Sequence, residues 1–144
     1  MLPEAMELVI VTPTRQLVRV RTTEVTLPGA NGYLGILPGH APLMTELGIG
    51  ELTFQGAAQG AAPLAIVRGF AEVLPDRVTV LAETAELAAE IDLERAEAAK
   101  ARAEKRLAAG APDIDWDRAG VALQRALIRV QVARKFRGVP AHSQ

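Results

Sequence analysis

Two rhythms divide the chain. Up to about residue 85, short apolar runs alternate with Gly, Pro, Asn and Asp; beyond it, apolar residues recur every three or four positions among Ala, Glu, Arg and Lys. The runs at 7–11, 16–21, 25–27, 49–55, 64–67, 71–74 and 78–82 predict strands, being short, rich in β-branched or alternating residues and bounded by turn formers. Within 17–21 the order Leu, Val, Arg, Val, Arg puts Arg19 and Arg21 on one face. Pro75-Asp76 predicts a hairpin turn through the fixed φ of proline, and Gly29-Ala30-Asn31-Gly32 predicts another through residues that tolerate positive φ. No helical stretch separates the runs, which argues against βαβ units and for an antiparallel two-sheet sandwich. The Gly-Ala-Ala-Gln-Gly-Ala-Ala segment at 56–62 predicts a loose loop.

The second rhythm predicts two helices in an antiparallel hairpin. Asp92 is an N-cap, Leu93 to Ala109 holds no Gly or Pro, and Gly110-Ala111-Pro112 ends the helix. Asp113 or Asp115 caps a second helix running to about Arg137, with Gly138 and Pro140 as stops. Ile91-Asp92-Leu93-Glu94-Arg95-Ala96 is echoed by Ile114-Asp115-Trp116-Asp117-Arg118-Ala119, which reads as two helix starts built alike. The first helix carries a stripe of Ala96, Ala99, Ala103 and Leu107, with Glu97, Arg102, Glu104 and Lys105 on the solvated side. The second has Val121, Ile128 and Val132 on one side and Leu123, Leu127 and Val130 on another. One alanine stripe cannot cover both, so either the helix is buried on two sides or one side is exposed for a second partner; the expectation taken is the second, a loosely docked hairpin. The division predicts a domain over 1–85 and a second over 86–144.

Charge sharpens this. The 144 residues carry 16 Lys+Arg against 17 Asp+Glu, for a net −1, but 1–84 sum to −3 and 85–144 to +2. From Arg118 to Arg137 there are six basic residues and no acid, a surface suited to an acidic groove or simply to solvent. Arg125 and Arg129 stand one turn apart, a spacing that serves bidentate phosphate capture as well as solvation. The overall balance calls for neither nucleic acid nor an anionic membrane. The chain has no Cys, which excludes disulfides and thiolate chemistry, and two His, His40 and His142. His40 lies in Pro38-Gly39-His40-Ala41-Pro42-Leu43, but no G-x-S-x-G motif accompanies it and the single Ser is Ser143 in the tail. No phosphate-binding glycine loop is present either. A turn residue is therefore the plainer reading of His40 than a catalytic base. No apolar run approaches the ~20 residues of a membrane span, and the start lacks a basic leader, so a soluble, non-secreted protein is expected.

Gly32-Tyr33-Leu34-Gly35-Ile36-Leu37-Pro38-Gly39-His40-Ala41-Pro42-Leu43 resembles the signature loop of the epsilon subunit of the rotary, F-type proton-translocating ATP synthase. Phe70-Ala71-Glu72-Val73 with 78–82 is similar to that family's last hairpin, and Ile91-Asp92-Leu93-Glu94-Arg95-Ala96 to the start of its first C-terminal helix. The likeness spans about 6–137. It implies a β + α fold: an N-terminal antiparallel β-sandwich of ten strands, then a C-terminal antiparallel two-helix hairpin. It also implies a non-catalytic rotor subunit that couples proton flow to ATP synthesis and inhibits ATP hydrolysis through mobile helices. Carried over, His40, Pro42, Leu43 and Met44 would face the gamma subunit, and Gly32 and Tyr33 the c-ring. Partners in the inhibitory state would be the alpha and beta catalytic subunits. A regulatory ATP, not an obligatory cofactor, would be held by Glu86, Ile91, Asp92, Arg95, Ala96, Arg125 and Arg129. The implied location is the cytoplasmic side of a bacterial plasma membrane, peripheral to it. Departures are Arg68 before Gly69, where the family has a Gly pair, and Tyr33 where an acid is common. Without the resemblance, the competing reading is a free-standing β-sandwich binding module with a self-associating hairpin, and a sandwich hydrolase stands third for want of a nucleophile.

Overall fold

The computed structural model describes residues 2–58, 60 and 62–138. Gln59 and Ala61 of the expected loose loop, and Pro140, His142 and Ser143 of the tail, lie outside the described residues. Two compact units follow one another, Met1–Leu87 and Ala88–Gln144.

Unit one consists of strands β1 (Met6–Val11), β2 (Gln16–Thr22), β3 (Glu24–Gly29), β4 (Gly32–Ile36), β5 (Leu43–Gln55), β6 (Leu64–Leu74) and β7 (Arg77–Leu87). Their hydrogen-bonded order is β2-β1-β7-β6-β5-β3-β4. Neighbours are antiparallel except β1 and β7, which run parallel, a departure from the all-antiparallel expectation. The runs 64–67 and 71–74 are one strand, and β5 extends upstream of 49 to Leu43.

Three long strands explain how seven can do the work of ten. The ladders β5–β6 and β6–β7 keep register on both sides of Gly48, Arg68 and Glu83 but skip that row. On β6, Leu64 and Ile66 face the core before the row, and Ala71 and Val73 after it. On β7, Val78, Val80 and Ala82 give way to Ala85, and on β5 Leu47 gives way to Leu52 and Phe54. The core-facing side thus changes phase at the row, as it must when one strand passes between two layers around a single core. Counting each crossing strand in both layers gives the ten strands implied by the resemblance. At the crossing, Arg68 has φ 55, the one positive φ at a non-glycine among the described residues. Gly69 has φ 132, and a Cβ there would lie 2.1 Å from the Leu81 carbonyl oxygen, so only glycine fits.

Unit two is a 3-10 turn (Ala88–Glu90), helix α1 (Leu93–Ala109) and helix α2 (Trp116–Phe136). The Asp92 carboxylate accepts from Arg95 N at 3.2 Å and the Asp115 carboxylate from Arg118 N at 3.1 Å, so both halves of the repeat are N-caps. Gly110 closes α1 in the left-handed region at φ 58. Ala96 and Ala103 form the buried side of α1. On α2, Ala119, Ala126, Val130 and Ala133 make one buried band, and Ile128 and Val132 make another on the opposite side. The expectation that one apolar side of α2 is left free is corrected: both bands are buried, and of the residues expected to be free Leu127 alone is exposed. Arg118 and Arg125, both exposed, and Arg129, half-buried, occupy a flank between the bands.

Candidate functional site

The outer face of the sandwich carries apolar residues at positions where alternation calls for polar ones. Phe70 and Leu81 are cross-strand partners on β6 and β7, 54% and 52% exposed. Met44, 65% exposed, stands on β5, the strand next to that of Phe70, and Leu81 pairs on its other side with Val11. Val11, Pro13, Phe70 and Leu81 border a shallow groove of about 380 Å³. Monomers rarely leave such contiguous apolar surface open without a use for it. Phe70 and Leu81 were not among the sequence candidates. The signal that finds them is the register, which brings two out-of-phase apolar residues side by side.

Of the expected gamma-facing residues, Leu43 and Met44 lie at the start of β5 and are exposed, as is Pro42. His40 N donates to the Leu37 carbonyl at 3.1 Å, its ring Nδ1 lies 2.7 Å from the Ala41 oxygen, and Gly39 N donates to the Pro75 carbonyl at 2.7 Å. The loop is thereby tied to the β6–β7 turn, and His40 is a turn residue. Gly32 opens β4, opposite Gly29. Tyr33, Gly32 and Leu43 border one cleft of about 330 Å³ with Asn31, Thr45 and Glu46, so the two expected contact sets meet. Tyr33 also has an internal task. The β3–β5 ladder opens between Thr26 and Gly29, and there the Tyr33 hydroxyl accepts from Glu51 N at 3.0 Å. A Cβ on Gly50 would fall 2.7 Å from that hydroxyl oxygen, so this glycine makes room for it.

The expected nucleotide residues divide. Glu86 belongs to β7 of the first unit, and the other six to the helical unit. Ile91 and Ala96 are buried. Asp92 spends one carboxylate oxygen on its cap, and the Ile91 carbonyl accepts from Arg137 at 3.0 Å. Arg95 and Arg125 are exposed and Arg129 is half-buried. Glu97 pairs with Arg134 at 2.6 Å instead of being simply solvated, which fixes the antiparallel register of the helices. Arg129 and Arg125 then lie five and nine residues back along α2, roughly 7 and 13 Å at the helical rise. The six of the helical unit are therefore strung along the hairpin in an elongated strip. A cleft of about 310 Å³ in this unit lies at the far end, by the interhelical turn, lined by Arg106, Ile114, Asp115 and Arg118. Among the described residues no acidic or histidine cluster suits a metal ion, and no helix is long and apolar enough to cross a membrane.

Comparison with known proteins bears on this geometry. The family model "ATP synthase, Delta/Epsilon chain, beta-sandwich domain" matches residues 5–88, and "ATP synthase, Delta/Epsilon chain, long alpha-helix domain" matches 89–134. An ATP synthase epsilon chain of Syntrophobacter fumaroxidans is 46% identical over 132 residues, covering 92% of this chain and 98% of its own. One from Geobacter sulfurreducens is 49% identical over 133 residues, covering 92% and 96%. Among solved structures, a chain of the Euglena gracilis mitochondrial ATP synthase with its c-ring superposes with a TM-score of 0.74 at 24% identity, covering 86% of this chain and 78% of that one. At that identity the likeness speaks for the fold.

Proposed function

Because the chain belongs to the delta/epsilon family of ATP synthase chains, we propose that it is the epsilon subunit of a central stalk, gripping gamma with its sandwich and regulating hydrolysis with its helices. It is a non-catalytic subunit; the complex is the enzyme. The observation that carries the reading is the exposed row of Met44, Phe70 and Leu81, which offers a shaft protein a flat apolar bed. Pro42 and Leu43 lead into it, and the Gly32–Tyr33 corner meets the c-ring. The complex keeps the chain peripheral to a bacterial plasma membrane, on its cytoplasmic side.

The helical unit is the regulatory part. α2 presents a basic flank without an acid after Asp117, matched to acidic segments of the catalytic subunits when the hairpin extends. ATP on the strip from Ile91 to Arg129 would favour the compact hairpin by its differential affinity for that form. Co-purification with gamma tests the grip. A Phe70→Glu variant is expected to lose gamma while keeping its melting temperature, and retained binding would refute the apolar bed. Titration with ATP tests the ligand. Arg129→Ala is expected to weaken binding about tenfold, as loss of a charge-assisted contact does, and absence of binding at millimolar ATP would remove the nucleotide from the account.

A further inference from the structure

The two ends of the hairpin are held differently. At the turn end, 108–113 are exposed. At the open end, Arg134 Nη2 donates to Glu97 Oε1 at 2.6 Å, with the Arg134 side chain 13% and the Glu97 side chain 43% exposed. One turn further on, Arg137 Nη2 donates to the Ile91 carbonyl at 3.0 Å, while its Nη1 donates to the Ala133 carbonyl of its own helix at 3.3 Å. Ile91 precedes the Asp92 cap, so its carbonyl has no place in the α1 ladder and is available to a donor from elsewhere. Between these ends the α1 side of the seam is chiefly alanine, which permits close approach but little adhesion.

We propose that Arg134 and Arg137 form a latch, with Glu97 and the Ile91 carbonyl as its keepers, which sets how readily α2 parts from α1. The inference rests on the reading of the hairpin as a moving element. Charge-assisted hydrogen bonds are the strong and directional ones, and they fix a register that an alanine seam leaves weakly determined. A shielded guanidinium that loses its carboxylate is costly to leave in place, so the latch favours the fully closed pose over a half-slipped one. The dipole of α2 adds to it, because Arg134 and Arg137 sit at that helix's C-terminal end. Opening therefore begins at the free end of α2, while the Gly110 turn stays joined.

The test uses the full chain, amide exchange along α2 and charge-removing variants, the isosteric Glu97→Gln being the one that alters packing least. Glu97→Gln and Arg134→Gln are each expected to speed exchange of the last two turns of α2 about tenfold, leaving sandwich amides unchanged. The double variant is expected to exchange no faster than either single one, since each single variant already removes the same charge pair. The absence of cysteine allows a second readout: spin labels at Glu94→Cys and Gln131→Cys, both exposed positions, should report a larger separated population in each single variant. Unchanged exchange and label distances, or single effects that multiply in the double variant, would overturn the latch. ATPase activity of the assembled complex that is indifferent to removal of 88–144 would instead overturn the moving-hairpin reading, and the exchange data would still decide the latch on their own.

Discussion

Arg68 is the residue most at odds with its own backbone. A side chain in the left-handed region costs about 1–2 kcal/mol, and glycine removes that strain while adding some freedom to the unfolded chain. Arg68→Gly is expected to stabilise the sandwich by about 1 kcal/mol, visible as a rise in melting temperature of a few degrees. A lower melting temperature would mean that the exposed guanidinium contributes more than its strained φ removes. Tyr33 is the opposite case, a residue that looks like pure surface and has an internal bond. Tyr33→Phe leaves the Glu51 N–H without its hydroxyl acceptor and should cost about 1 kcal/mol in denaturant unfolding. Neither property is legible from residue type. That Arg68 departs from a glycine pair is visible in the sequence, but its φ is set by where the strand must turn. The Tyr33 bond joins positions 18 apart across an opened ladder.

Elements defined by local chemistry were legible, and those defined by distant partners were not. The helix bounds follow from Asp92, Gly110 and Asp115 because caps act within one turn. Asp115→Ala is expected to cost about 1 kcal/mol of helix stability and to fray the first turn of α2, seen as faster exchange at Val121 and Ala122. β4 is not legible in the sequence because Gly32 and Gly35 dilute its strand propensity, and as an edge strand it depends on β3 for its pairing. Strand β6 reads as two pieces because Arg68-Gly69 looks like an end when it is a crossing. Phe70 and Leu81 become a surface only when the β6–β7 register is known, and the Arg134–Glu97 and Arg137–Ile91 contacts join positions 37 and 46 apart. The resemblance located the hairpin candidates but said nothing of these two ties.

At the scale of the molecule, the apolar cluster of the sandwich draws all its members from Met6 to Leu87. A chain ending at Leu87 is therefore expected to fold alone, with a single cooperative unfolding transition and undiminished affinity for gamma. Loss of gamma binding in that truncation would shift the grip towards the helical unit. Strands β5, β6 and β7 belong to both layers, so the layers cannot slide past one another without stretching three backbones. A force entering at one layer leaves by the other along covalent chain, not through grease between plates. A sideways load on this domain is thus borne by backbone rather than by sliding side chains.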